Sequence, residues 1–299
     1  MVVGRFAPSP SGRMHLGNVF TALIAWLSVR SQQGRMLLRI EDLDPDRSKP
    51  QYIDALRRDL QWLGLDWDEE MPLQSQRSDI YDCYFHRLPV YPCFCTRNEL
   101  HSASAPHAAD GSFLYAGTCR GLSAEEIATQ VRKPSWRVAL NEGCVSFTDR
   151  VYGMIREDPS KSCGDFILRR ADGVYAYQLA VVCDDALGGV TEVVRGRDLL
   201  SSTARQIWLY RALGFPTPEF CHVPLLVAPD GRRLSKREKD LDLEHLQQHY
   251  TAEDLIGKLA YSIGLTENSS PISPRELIPL FRWDRIPNQD ISIMEQFHV

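Results

Sequence analysis

Between Ala7 and Asn18 the chain reads APSPSGRMHLGN, with two prolines, two glycines and a histidine set between the apolar runs MVVGRF and VFTALIAWLSVR. A loop that follows a strand and opens a helix presents free backbone N–H groups, which suit phosphate. His15 can donate a hydrogen bond to a phosphoryl oxygen, and Gly12 and Gly17 let backbone approach a ligand closely. The loop carries neither a dinucleotide fingerprint nor a Walker sequence, so alone it reads equally as a connecting turn. Far down the chain, GRRLSKRE crowds Arg232, Arg233, Lys236 and Arg237 around Ser235. Alone, such a run is usually a solvated loop. Arg5 ends the first apolar run, Arg195 ends EVVRG, and Glu41 stands in RIEDLD. The forks of the two arginines fit carboxylates and Glu41 can accept from an ammonium; the alternative is a simple Arg5–Glu41 salt bridge. Finally, CFC places Cys93 and Cys95 together, and Cys119 follows in YAGTC. Three thiolates with a fourth donor suit tetrahedral zinc, with His101, His107 and Tyr115 as candidates. The alternative is a set of reduced thiols in a loop.

The elements that must position these residues follow from periodicity. MVVGRFA predicts a strand. VFTALIAWLSVRSQQG predicts a helix with Phe20, Leu23, Ile24 and Leu27 on one face and Gly34 past its end. RMLLRIED predicts a second strand, and SKPQYIDALRRDLQWLG a helix burying Ile53, Leu56, Leu60 and Leu63. This alternation argues for a parallel α/β sheet, at whose carboxyl edge ligands bind. SDIYDCYFHRL adds a helix. After Tyr91 the alternation lapses: SAEE opens a short helix as a capping box, SWRVAL and CVSFTDRVYG read as strands, and DFILRRADGVYAYQLAVVCD reads as a hairpin turning at Asp172-Gly173. EVVRG, STARQIWLYRALG and HVPLLVAPDGRRLSKRE resume strand, helix and strand-to-loop. The last segment reads as helical, with SPRE a capping box carrying Pro274 at its first helical position. The expected organisation is a first catalytic half over 1–90, an inserted α+β subdomain over 91–190, a second catalytic half over 191–238 and a helical segment over 239–299.

Composition bounds the rest. With 43% apolar and 24% charged residues the 299-residue chain is that of an ordinary globular protein. No apolar run is long enough to cross a bilayer and no secretory leader pattern opens the chain, so a cytoplasmic, membrane-free protein is expected. A net charge of −5 excludes a uniformly basic surface, not a local basic patch. Of eight cysteines, Cys83, Cys144, Cys163, Cys183 and Cys221 fall within apolar stretches and read as buried thiols rather than a disulfide framework.

HLGN, from His15 to Asn18, resembles the HIGH signature, and RLSKR, from Arg233 to Arg237, resembles KMSKS. Together they mark class I aminoacyl-tRNA synthetases. RFAPSPSGRMHLGN, RIEDLD, DLQWLGLDWDE, RGRDLLSSTARQIWLYRALG and VPLLVAPDGRRLSKRE are similar to the glutamyl branch, in its order, over positions 5 to 238. Asn18 replaces the first signature's last residue and Arg233 the second's first lysine; Lys236 is present. The chain runs only about sixty residues past RLSKRE, room for a small helical segment. A glutamyl-tRNA synthetase continues into an anticodon-binding domain there. The resemblance is therefore to the truncated branch, the glutamyl-Q tRNA(Asp) synthetase family.

That resemblance implies a Rossmann-type parallel sheet with a zinc-bearing α+β insertion and a small C-terminal helical part. It implies an ATP-dependent ligase that activates glutamate without tRNA and transfers it to the queuosine base of tRNA(Asp). His15 and Lys236 take the catalytic roles, with Gly17, Asn18 and Ser235 joining them around ATP and Mg²⁺ neutralising the pyrophosphate. Arg5, Ala7, Ser9, Glu41, Tyr177 and Arg195 match the glutamate pocket. Asp44 and Asp198 either hold a ribose or cap turns. Cys93, Cys95, Tyr115 and Cys119 would hold one structural zinc, with His107 the fallback to Tyr115. A monomer is expected. Two other readings remain: a truncated glutamyl-tRNA synthetase charging a tRNA 3′ end, and a non-catalytic tRNA-binding module.

Overall fold

The computed structural model describes residues 1–96, 114–228, 231, 242–293 and 297. Strand β1 (Val3–Phe6) pairs in parallel with β2 (Arg35–Leu38), and β2 with β3 (Glu69–Glu70). The crossover from β1 to β2 is helix α1 (Leu16–Ser31); α2 (Pro50–Trp62) makes the crossover to β3, and α3 (Ser78–Phe85) follows. Pro50 sits in the first turn of α2, where its missing N–H costs no intrahelical bond.

The next stretch builds a separate antiparallel sheet of β4 (Val90–Cys93), β5 (Ser135–Val138) and β8 (Ile167–Arg169). Helix α4 (Ala124–Ala128) opens on the capping box formed by Ser123 and Glu126. Strands β6 (Val145–Asp149) and β7 (Gly153–Glu157) form a hairpin, and α5 (Pro159–Ser162) follows. The turn at Asp172-Gly173 is present: Asp172 Oδ1 accepts from Val174 N at 3.1 Å and Gly173 has φ of 94°. Only an isolated bridge from Arg169 to Tyr175 extends it, however. YQLAVVCD is not the hairpin's second strand but the body of helix α6 (Tyr177–Leu187). Leu179 to Asp185 are buried all round, so this helix shows a continuous apolar run and no helical period.

Strand β9 (Glu192–Gly196), helix α7 (Leu200–Leu213) and β10 (Glu219–Val223) resume the parallel alternation in a second, four-stranded sheet of order β7-β6-β10-β9, in which β7 runs antiparallel to β6. The hairpin of β6 and β7 is thus hydrogen-bonded to β10, through Asp149 and Phe220. β9 runs beside β1, where Thr191 N donates to Val3 O at 2.8 Å. Gly214 closes α7 at φ 72°, a left-handed cap that glycine adopts without strain. β11 (Leu226–Val227) pairs with β12 (Ile291–Ser292), a strand that periodicity did not predict. Between them lie α8 (Leu243–Leu246), α9 (Ala252–Ser262) and α10 (Pro274–Leu277), the last opening on its Ser273–Glu276 capping box.

Helices cover both faces of the parallel sheet. One core joins Phe20, Leu23, Ile24 and Leu27 of α1 to Leu56 and Leu60 of α2 and to Leu255, Ile256 and Leu277 of the C-terminal helices. The other joins Tyr81 and Phe85 of α3 to Leu179 and Val182 of α6 and Ile207 of α7. This mixed α/β layering is the expected class I architecture. Among the cysteines, Cys163, Cys183 and Cys221 are buried as expected, but Cys83 and Cys144 are exposed. Among the described residues, no helix is long and apolar enough to cross a membrane.

Candidate active site

A cavity of about 410 Å³ opens at the carboxyl ends of β1 and β9. Its walls include Arg5, Ala7, Ser9, His15, Gly17, Asn18, Glu41, Tyr177, Arg195 and Asp198. The loop after β1, the turn after β2, the start of α6 and the end of β9 each supply part of it. The structure therefore brings together every described residue that sequence reasoning placed at the ATP and glutamate sites. Ser235 and Lys236 lie outside the described residues, as do Arg232, Arg233 and Arg237. The residues flanking that stretch border the cavity: Leu226 lines it, and Leu243 N donates to Met14 O at 2.9 Å. Arg13 pairs with Glu244 across the same seam at 2.5 Å.

His15 is the N-cap of α1, and Asn18 Oδ1 accepts from His15 N at 3.2 Å. Asn18 thus satisfies a helix-start donor at the departure from the signature. A Cβ on Gly17 would lie 3.0 Å from the His15 ring. Gly17 thus lets the imidazole fold back over the first turn. Gly196 makes a similar allowance, because a Cβ there would come within 2.5 Å of Asp198 Oδ1. Asp198 therefore lies against bare backbone on the cavity wall. Asp44 caps a turn, accepting from Asp46 N at 3.1 Å, and borders a second cavity of about 370 Å³. That cavity shares Ser9, Ser11, Glu41 and Tyr177 with the first and is also lined by Arg47 and Arg170.

The inner end of the first cavity is a buried charge network. Arg5 does not pair with Glu41. Its Nε donates to Asp185 Oδ1 at 3.3 Å and its Nη1 to Val194 O at 3.0 Å. Arg39, fully buried, bonds Asp185 through Nη1 and donates to Glu41 Oε1 through Nη2 at 3.0 Å. Burial opposes ionisation of Asp185, but Arg39 and Arg5 more than offset it and hold the carboxyl below its ordinary value. Burial pushes Glu41 upward, with Arg39 and Arg5 only partly opposing. Tyr177 is likewise raised, by burial and then by the Glu41 charge.

Arg195 is buried in different company. Its Nε donates to His222 Nε2 at 2.9 Å, Nη1 to Gln206 Oε1 at 2.7 Å, and Nη2 to Thr203 Oγ1 at 2.8 Å and Leu199 O at 3.3 Å. Each of these acceptors is neutral, and burial lowers the guanidinium pKa. At the inner end three guanidiniums thus face two carboxylates, Asp185 and Glu41. Asp198 on the wall and Asp149 behind His222 add further carboxylates, so what sets Arg195 apart is that, among the described residues, no carboxylate bonds it directly. Sequence reasoning missed Arg39, Asp185, His222 and Gln206. Their signal was charged or polar types inside apolar runs, as in LLRIED, AVVCDD and FCHVP.

The cysteine cluster lies in the antiparallel sheet and the loop beside it. The Sγ atoms of Cys93, Cys95 and Cys119 all lie within 4.8 Å of one another, with Cys95 and Cys119 3.6 Å apart. Tetrahedral Zn–S bonds of about 2.3 Å require sulfurs about 3.8 Å apart, so the spacing fits a metal. Tyr115 Oη joins the group, accepting from Cys119 N at 2.8 Å and lying 3.5 Å from Cys93 Sγ. His101 and His107 lie outside the described residues. Arg137 donates to Cys93 Sγ at 3.3 Å and stacks over the Tyr115 ring at 3.8 Å. Burial opposes ionisation of Cys93, but Tyr115 and Arg137 hold its thiol below the ordinary value. Burial and the Cys119 sulfur push Cys95 up to about 12. A cation among these sulfurs would reverse that, because thiols bind metal as thiolates.

Comparison with known proteins places this geometry. The family model for tRNA synthetases class I (E and Q), catalytic domain, matches residues 1–268. The chain is 48% identical to the glutamyl-Q tRNA(Asp) synthetase of Symbiobacterium thermophilum over 98% of its own length and 96% of that protein's. It is 42% identical to the enzyme of the same name from Nitratidesulfovibrio vulgaris, over 97% and 95% of the two lengths. Among solved structures, glutamate-tRNA synthetase from Elizabethkingia anophelis superposes with a TM-score of 0.83 at 28% identity, covering 97% of this chain and 68% of that one.

Proposed function

Because this chain belongs to the class I tRNA synthetases of the E and Q type, we propose that it is a cytoplasmic, ATP-dependent ligase that activates glutamate and passes it to the queuosine base of tRNA(Asp). The observation that carries the amino-acid choice is that Arg195, on the cavity wall, bonds only neutral groups among the described residues. Glutamate brings two carboxylates and one ammonium, so its second carboxylate can pair directly with this guanidinium. Glutamine offers a neutral amide in that place, and its bond to a guanidinium is the weaker one.

In this reading Arg195 and Arg5 hold the carboxylates, and Glu41 accepts from the α-ammonium. Tyr177 closes the pocket from the start of α6, with Ala7 and Ser9 on the loop opposite. Asp185 and Arg39 fix Arg5 and Glu41 from behind. An oxygen of the α-carboxylate attacks the α-phosphorus of ATP, the bond to the β-phosphate oxygen breaks, and pyrophosphate leaves from a glutamyl-adenylate. Catalysis here consists of positioning and charge stabilisation. His15, with Gly17 and Asn18 at the first turn of α1, addresses the phosphates. Ser235 and Lys236 complete the nucleotide site from a stretch whose flanks border the cavity. Mg²⁺ arriving with ATP would neutralise the departing pyrophosphate.

The second cavity, beyond Glu41 and Tyr177, gives the acceptor a way to the activated carbonyl, past Arg47 and Arg170, which pair with Asp44 and Asp172. A base taking part in this transfer must leave its stack. Cys93, Cys95, Cys119 and Tyr115 would hold one structural zinc that ties the chain after β4 to the antiparallel sheet. The catalytic unit works as a monomer.

ATP–pyrophosphate exchange without tRNA tests the activation step. Exchange should depend on glutamate and ignore glutamine and aspartate. Exchange supported equally by glutamine would overturn the carboxylate-pairing reading.

A further inference from the structure

We infer that Asp149 and His222 form a buried relay that aims Arg195 at the substrate carboxylate while keeping Asp149 itself out of direct contact with the guanidinium. His222 lies on β10 beside Arg195 of β9 and is fully buried, as is Asp149 at the end of β6. The guanidinium Nε always carries hydrogen, so its 2.9 Å bond to His222 Nε2 requires a lone pair on that nitrogen. The imidazole proton must then sit on Nδ1, 2.6 Å from Asp149 Oδ2. Asp149 is itself fixed: Oδ1 accepts from Val151 N and Tyr152 N at 3.0 Å each, and Oδ2 from His222 N at 3.1 Å. The His222 ring also stacks on Phe220, with planes 10° apart.

The groups that face His222 are Asp149 from β6, Arg195 from β9, Thr203 from α7 and, by charge alone, Arg5 from β1. Burial lowers the imidazole pKa, Asp149 opposes that, and Arg195 adds to it; the result is about 4, so His222 is neutral in the working range. A carboxylate bonded directly to Arg195 would compete with the substrate. A neutral imidazole gives the same orientation without that competition, and Asp149 selects its tautomer. Asp149→Asn would defeat this. An amide cannot accept from all four donors now shared by the two oxygens, and one turned to donate to Nδ1 would force the proton onto Nε2, against Arg195 Nε–H.

The inference rests on Arg195 holding a substrate carboxylate, and the tests separate the two. Nitrogen-15 spectra of the full chain at neutral pH should show His222 with a protonated Nδ1 and a bare Nε2. A protonated Nε2 or an imidazolium would overturn the relay whatever the substrate. In exchange assays, His222→Leu and Asp149→Asn should raise the glutamate KM on the order of 100-fold while leaving the ATP KM within twofold. His222→Gln, which keeps an acceptor near the Nε2 position, should recover most of that loss. A wild-type glutamate KM in His222→Leu, with a raised KM in Arg195→Met, would overturn the relay alone. An unchanged KM in Arg195→Met would overturn the pocket reading and the functional part of the relay with it.

Discussion

Arg195→Met separates the work of binding from the work of folding. In the wild type Arg195 is 4% exposed and donates to His222, Gln206, Thr203 and the Leu199 carbonyl, all neutral. Burying a charge with no carboxylate in direct contact is costly, and Asp149 reaches this one only through His222. Removing it relieves that cost but strands four acceptors at about 1–3 kcal/mol each, before they re-pair with one another or with water. The two contributions oppose each other, so net stability should change by no more than about 2 kcal/mol, a Tm shift within about 8 °C. Arg39→Met should behave differently. Arg39 bonds Asp185 and Glu41 together, and its loss leaves carboxylates buried with too little positive charge, costing about 3–5 kcal/mol. For glutamate the order reverses. Losing a charge partner of a desolvated carboxylate costs about 2–5 kcal/mol, so kcat/KM for glutamate in Arg195→Met should fall from about 30-fold to about 5,000-fold. Differential scanning calorimetry and glutamate-dependent exchange on both variants make the comparison. If Arg195→Met were the less stable of the two, or if its defect lay in ATP use, the assignment of Arg195 as a substrate-binding charge would be refuted.

Metal analysis of the purified protein should find about one zinc per chain, lost in Cys119→Ser; zinc that persists in Tyr115→Phe would move the fourth ligand elsewhere. Lys236→Ala should reduce exchange by roughly 100-fold, the scale of one preorganised charge contact, with an unchanged Tm; near-normal exchange would remove Lys236 from the mechanism. Asp185 is held below its ordinary pKa, so its contribution to stability is fully present above about pH 4 and is lost as the pH falls through its lower folded value. Chemical denaturation at pH 7 and pH 3 should therefore show a smaller acid loss in Asp185→Asn than in the wild type, and equal losses would refute the linkage.

How much of this could be read from the sequence depended on where polar residues sit. The first loop, Arg5, Glu41 and Arg195 stand at strand ends beside turn residues, where periodicity breaks visibly, and all line one cavity. Their partners do not stand out. Asp184 and Asp185 close an apolar run that buries a helix on all sides, so neither the helix nor its carboxylates showed a period. His222 sits between Cys221 and Val223 in a strand buried on both faces, where alternation carries no signal. The Asp172-Gly173 turn was legible because its chemistry is local. The helix after it was not, because tertiary burial rather than local pattern selects it. The exposed Cys83 and Cys144 make the same point in reverse: apolar neighbours in sequence do not settle which face of an element a thiol occupies.

The acceptor is the central claim, and one measurement bears on it directly. The protein is incubated with ATP, labelled glutamate and tRNA(Asp) that either carries or lacks queuosine, and the same pair is repeated after enzymatic removal of the 3′-terminal adenosine. Label should appear only on the queuosine-bearing tRNA and should survive loss of the 3′ terminus. Label on tRNA lacking queuosine, or label abolished when the 3′ adenosine is removed, would contradict transfer to the base and assign the chain to 3′-end charging.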